Sequence, residues 1–310
     1  MTILKIIFST KKLLLGTALL SLFACERELV VELPESPPRL VVYAFLQNGV
    51  PLEARISATR PALSNEPFVF PENAFVRLYA DGQLVDTLRF GFSAQGDPRY
   101  LARTVPVPGV EYTLRAAWED LPETEATATL PGPVAVNGWF WDTTLYSNPD
   151  LGENSYLLDL RLDVADQPGS EDFYALRLAQ IVQSFYTDAA GDTLFNAPDT
   201  LWVSLGTDMP GPTYGYPGQG LLFAEGSLIN GTAHVFGRLA AADGYRRSKG
   251  FRLFFRRVDR EHYLFQRDVF HIGITNDLSL FDEPVEVYNN MTGGFGNFSG
   301  VQQRIFSVQW

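Results

Sequence analysis

Residues 74–90 read AFVRLYADGQLVDTLRF. Val76, Leu78 and Ala80 alternate with less apolar neighbours before Asp81-Gly82, and Leu84, Leu88 and Phe90 keep the same period after it. Asp-Gly supplies the positive φ that a two-residue hairpin turn requires, and period-two alternation is the mark of a strand with one face buried. Working outward, "RLVVYAFLQ" (39–47) is a β-branched and aromatic run stopped by Asn48-Gly49. "LEARISATR" (52–60) alternates, "VEYTLRAAW" (110–118) follows Pro108-Gly109, and "EATATL" (125–130) precedes Pro131-Gly132-Pro133. Short strands at this spacing predict an antiparallel sandwich over 39–131.

Beyond that turn, "VNGWFW" (136–141), "SYLLDLRLDV" (155–164), "DFYALRLAQIV" (172–182), "RRSKGFRLFFRRV" (246–258) and "VQQRIFSVQW" (301–310) read as strands of a second, larger β-rich domain over 132–310. One short helix is expected at 259–271, with Asp259 as N-cap and Val258 and Tyr263 at the positions of a hydrophobic staple. The segment "MPGPTYGYPGQG" (209–220) is the densest loop. In the first domain Gly109, Tyr112 and Leu114 resemble the "G-x-x-Y-x-L" strand of immunoglobulin-like and fibronectin-like sandwiches, the fold expected for 39–131.

The first residues have the form of an export signal. Lys5, Lys11 and Lys12 precede an apolar run, Leu13 to Phe23, that is too short to span a bilayer of ~30 Å as a helix. The run ends in Leu22-Phe23-Ala24-Cys25, which resembles a bacterial lipobox. The resemblance implies cleavage of 1–24 and acylation of Cys25, the single cysteine of the chain. Residues 25–38 then form an acidic, Pro-rich tether carrying Glu26, Glu28, Glu32 and Glu35. Cleavage removes three lysines and no acid, taking the formal charge from −12 to −15. A chain this acidic lacks the basic stripe that nucleic acid requires. Acids just after a lipidated cysteine also resemble the surface-export signal of Bacteroidota lipoproteins.

Chemistry is sparse. There is no Gly-x-Ser-x-Gly elbow, and three histidines with one cysteine leave no room for a Cys/His metal set or a disulfide framework. His262 and His271 are nine apart, which is not the spacing of a zinc helix. No catalytic residue, metal or cofactor is expected. Asp188, Asp192, Asp199 and Asp208 lie among Tyr186, Phe195 and Trp202, a grouping open to a hydrolase reading or to surface solvation. The expected contact residues are Tyr186, Trp202, Tyr214 and Tyr216, since tyrosine on a long connection suits recognition; a loop folded back with its rings as a lid is the alternative. Asp-Thr pairs at 86–87, 142–143, 192–193 and 199–200 resemble the O-glycosylation site of exported Bacteroidota proteins. A threonine in a strand beside a turn aspartate produces the same pattern.

The opening strand, the tether and above all the tail "FDEPVEVYNNMTGGFGNFSG" (281–300) resemble the domain-of-unknown-function family numbered forty-two forty-nine. Pro284, Val287, Tyr288, Asn290, Gly293, Gly294, Gly296, Phe298 and Gly300 carry the match; Asn289 and Met291 depart from it. The resemblance implies a lipid-anchored outer-membrane protein on the cell surface, encoded beside a TonB-dependent receptor, and assigns no catalytic residue. A non-enzymatic accessory or ligand-capturing role beside such a β-barrel is therefore expected. The other readings are a surface glycan- or peptide-degrading hydrolase and a structural or adhesive envelope protein.

Overall fold

The computed structural model describes residues 37–61, 64–133, 135–148, 153–165, 171–216, 220–241, 245–275 and 286–309. The leader, Cys25 and the tether up to residue 36 lie outside them. Among the described residues the chain is mostly β, with eighteen strands in two sheets and one α-helix.

The hairpin forms where the alternation places it. β3 (Phe75–Ala80) and β4 (Gln83–Phe92) are joined through Asp81 at φ 46° and Gly82 at φ 77°. β4 then changes partner. Gln83 to Leu88 pair with β3, whereas Arg89 to Phe92 pair with β5 (Pro98–Leu101). That switch folds the sheet onto itself. β1 (Leu40–Gln47), β2 (Glu53–Ala58) and β5 make one layer; β3, β6 (Glu111–Ala117) and β7 (Thr124–Thr129) make the other. Leu40, Val42, Val76, Leu78, Leu114 and Phe298 belong to the core between them, each fully buried. The Tyr112 hydroxyl accepts the Val107 N–H at 3.0 Å and pins the turn that feeds β6, the corner device of such sandwiches.

A second core lies farther along the same long sheet. β10 (Phe173–Thr187), β17 (Arg246–Val258) and β18 (Phe295–Gln309) present Leu176, Leu178, Phe251, Leu253, Phe255 and Phe306 to a four-stranded sheet. That sheet has the order β13 (Leu205–Thr207), β16 (Thr232–Ala240), β9 (Glu153–Val164), β8 (Val136–Asn148). Trp139 and Trp141 of β8 reach across it to Phe306 and Phe251. On the opposite face of the long sheet lies α1 (Arg260–Thr275), packed on Phe173, Leu222, Val258 and Val301 through Tyr263 and Phe270. The helix runs four residues past the expected end. Its start is as read: Asp259 accepts the His262 N–H at 2.8 Å, and Val258 and Tyr263 share one cluster.

β18 connects these parts. Its first half runs parallel to β1, Val41 opposite Phe295 through Gln47 opposite Val301. Its second half runs antiparallel to β17, Val301 opposite Val258 through Gln309 opposite Gly250. Over 295–300 it therefore has β1 on one edge and no strand on the other. Unpaired buried main-chain groups are costly, and side chains complete this edge. Asn290 takes the Phe298 N–H at 3.0 Å and gives its own N–H to the Phe298 carbonyl at 2.7 Å. Asp259 accepts the Gly300 N–H at 2.5 Å, while its main-chain N–H reaches the Gly300 carbonyl at 3.0 Å.

The tail glycines serve the same closeness. Gly296 sits at φ 126° with its missing Cβ aimed at the Val42 carbonyl, and a Cβ on Gly300 would meet the Thr129 carbonyl at 2.2 Å. The strand expected from 301 begins six residues earlier, and Gly296 and Gly300 within it are strand residues packed close against their neighbours. Gly296→Ala is expected to destabilise the protein by about 2 kcal/mol or more in urea unfolding, through strain at positive φ and overpacking. Gly138→Ala, with nothing within 4 Å of its Cβ, is the control and is expected to shift stability by less than about 1 kcal/mol.

Candidate functional site

The register of the long sheet defines an open face. Across β10 and β17, Ala175 lies opposite Arg256, Arg177 opposite Phe254 and Ala179 opposite Arg252. Across β17 and β18 the same rows continue to Gln303, Ile305 and Ser307. β12 (Asp199–Val203) adds Trp202 beside Ala179. Side chains alternate between faces, so these residues share the face opposite the Leu176–Phe255 core. The helix covers the row of Phe173, Val258 and Val301. Beyond it Arg252, Ser307, Ile305 at 50% and Trp202 at 45% are exposed, while Arg177, Phe254, Arg256 and Gln303 are half-buried and Ala179 is buried.

This face departs from the rest of an acidic molecule. In the three rows beyond the covered one, β10, β17 and β18 contribute three arginines and no Asp or Glu, and Arg247, bonded to Gln183, adds a fourth farther along the face. The Arg177 guanidinium lies 4.0 Å over the Trp202 ring, a cation–π contact, and Trp202 leans on Phe254 at 5.7 Å. Arg256 spends its Nε on the Gln303 side-chain carbonyl at 2.8 Å and makes no ion pair among the described residues. Burial, together with the Arg177 charge, pulls the Arg256 pKa down to about 10. Burial lowers Arg177 as well.

Next to this face the polar groups at the start of the helix are structural. Burial, with Arg256 nearby, pulls His262 to about 3, so its ring is neutral and sits 3.1 Å from the Ser299 hydroxyl. Burial pushes Asp259 up to about 7 against the hydrogen bonds from His262 and Gly300. On the far side of β18, Tyr43, Phe45, Val50 and Leu101 with Arg55 and Arg99 line a groove of about 720 Å³, where Phe45 is 50% exposed. Tyr43 contacts Phe265 of the helix, and Phe45 lies edge-on to His262.

The four expected contact residues do not form one cluster. Trp202 flanks the open face, at the β12 end of the row that runs through Ala179 and Arg252. Tyr214 lies on β14 (Thr213–Tyr216), which pairs with β15 (Gly220–Ala224), so the expected loop contains a hairpin. Its half-buried ring packs on Tyr263 and His271 and covers the helix, as in the lid alternative. Tyr216 follows on that strand, and its side chain lies outside the described residues. Tyr186 is exposed near the end of β10, beside Leu194 of β11 (Thr193–Phe195) and on the opposite face from Arg177.

The carboxylates of Asp188, Asp199 and Asp208 are engaged locally. Asp188 caps its own turn by accepting the Ala190 and Asp192 N–H groups, and Asp208 lies 2.7 Å from His234 Nδ1. Asp86, Asp142 and Asp199 each accept the N–H of the threonine that follows, which is a structural reason for three of the four Asp-Thr pairs. Among the described residues no cluster of three His, Cys, Asp or Glu side chains has metal-binding geometry. The arginines and aromatic rings of the open face had local signals in "RRSKGFRLFFRRV" and Trp202; which of them share a face depends on register.

The fold and this face define a mostly β protein with a side-chain-lined open sheet surface. The family model described as a domain of unknown function (DUF4249) matches residues 26–305, and the chain belongs to that family. A comparison with curated proteins returns no match. Among solved structures, the partial N-terminal region of an enterococcal surface protein is similar at 9% identity, covering 74% of this chain and 94% of that one. The TM-score of that comparison is 0.18.

Asp259 generates a test of the helix start. Its folded pKa, about 7, lies above the model-peptide value of 3.8, so the folded state holds the proton more tightly and stability falls as pH rises between those values. The wild type is expected to lose about 2 kcal/mol between pH 5 and pH 8 from this group. Urea titrations of Asp259→Asn should show that component removed.

Proposed function

We propose that the chain is a non-enzymatic outer-membrane lipoprotein, anchored on the cell surface through lipid on Cys25. It captures a ligand and works beside a TonB-dependent β-barrel transporter. The observation that carries a binding role is the open face of β10, β17 and β18, where aromatic, apolar and arginine side chains are presented by a rigid sheet. Binding sites combine an apolar surface with a few placed polar groups in this way. The anchor is supported by the lipobox-like Leu22 to Cys25 and by a family match that begins at residue 26. Several acyl chains, at ~0.8 kcal/mol per buried methylene, give lasting attachment. A binder is favoured over a hydrolase because Asp188 and Asp208 are held by their own turn and by His234.

Metabolic labelling with a fatty-acid analogue should mark the wild type and leave Cys25→Ser unlabelled and released from the membrane fraction. Labelling that survives Cys25→Ser, or a variant that stays membrane-bound, contradicts the anchor. Crosslinking on intact cells followed by purification should recover a β-barrel receptor in stoichiometric amount; recovery of the chain alone contradicts the partner.

A further inference from the structure

We propose that the open face of β10, β17 and β18 binds carboxylate-bearing sugars, uronic acid units of an acidic polysaccharide. Arg256 and Arg252 hold the carboxylates, and Trp202, Phe254 and Ile305 receive the apolar faces of the rings. This deepens the ligand-capturing reading by naming the ligand class, and rests on it only in requiring that a ligand be captured.

Charge gives the first argument. The chain has 36 acids against 24 bases, yet the uncovered rows of these three strands hold arginine and no carboxylate. Arg256 is largely withdrawn from water, lies in the field of Arg177, and has a neutral amide, Gln303, as its hydrogen-bond partner. Like charges held close in a partly dry site are stabilised by an oxyanion, and a guanidinium whose Nε is taken still offers the two terminal nitrogens to a carboxylate.

Shape and polarity give the second. Along the rows, apolar surface alternates with small hydrogen-bonding groups: Ile305 lies between Gln303 and Ser307 on β18, and Trp202 is two residues from Thr200 on β12. A pyranose uronate has matching parts, a C–H face, a rim of hydroxyls and one carboxylate. An extended acidic peptide fits less well. It adds to a sheet through free main-chain edges; β10 and β17 are paired on both sides around the patch, and the one free edge, that of β18 beyond Val301, lies at the opposite end of the rows from Trp202. Nucleic acid needs a longer basic stripe than four arginines on an acidic chain provide.

The test uses the full chain in mild detergent, without a partner barrel, titrated calorimetrically with tri-galacturonate, neutral tri-galactose, inorganic phosphate and phosphatidylglycerol vesicles. Tri-galacturonate is expected to bind, tri-galactose to bind at least about tenfold more weakly, and Arg256→Gln to weaken tri-galacturonate by about tenfold with the melting temperature retained. Trp202→Ala and Arg252→Gln should each weaken it as well, and they decide the matter if Arg256→Gln fails to fold. No binding of tri-galacturonate, equal binding of the neutral trimer, or undiminished affinity in the folded variants overturns the proposal. Binding of phosphate or vesicles alone overturns it in favour of a general anion or membrane surface. Variants that keep tri-galacturonate affinity but lose a crosslinked barrel overturn it in favour of a protein interface. Because the partner is absent from the titration, failed sugar binding leaves the lipid anchor and the crosslinking result untouched, and the reverse also holds.

Discussion

The buried first half of β18 has β1 on one side and no strand on the other, and the way that other edge is completed governs the arrangement around it. β17 ends at Val258 opposite Val301, while β18 extends six residues further back along β1. The exposed edge is closed by one aspartate and one asparagine. Asn290 mimics a strand residue by exchanging two hydrogen bonds with Phe298, and Asp259 does so with Gly300 through its own backbone and side chain. Each such bond contributes about 1 kcal/mol net, but leaving its buried partner unmet costs more, so the edge depends on all of them. The family tail thus reads as a structural device whose matched residues complete a strand.

That device also sets where the helix begins and what it leaves uncovered. Asp259 is both the last bond to Gly300 and the N-cap of α1, so the chain turns out of β17 at one fixed point and lays the helix over Phe173, Val258 and Val301. The burial of β18 follows from this. Residues 296–302 are buried in succession because the sandwich core and the helix cover both faces, and from 303 onward exposed residues return. The rows bearing Arg256, Phe254, Ile305 and Trp202 remain open, and the electrostatic character of the face comes from which side of β17 each arginine occupies. Arg257, one residue from Arg256, points to the other side and pairs with Asp172 at 2.5 Å.

Local features were legible where local physics decides them. Alternation and Asp81-Gly82 located the β3–β4 hairpin, "RRSKGFRLFFRRV" matched β17 residue for residue, and the cap and staple located the helix start. Non-local pairing was not legible. Nothing near Val41 announces a parallel partner at Phe295, and although glycines at 293–296 permit a close approach, that they approach Glu123 and Val42 is settled only in the folded chain. For the same reason Trp202 stood out in the sequence by its type, while its neighbours Arg177 and Phe254 did not. Tyr214 reads as an exposed loop residue until β14 pairs with β15 and sets its ring on the helix. β8 extends to Asn148, beyond the apolar run, because pairing with β9 sustains a polar strand end.

Hydrogen exchange in the full chain tests the completed edge of β18 most directly. The Phe298 and Gly300 amides are bonded to side chains, and the account predicts that they open only with the globally protected amides of β1 and β17, at the same free energy. Exchange of 295–300 at loop rates while β17 stays protected would contradict it.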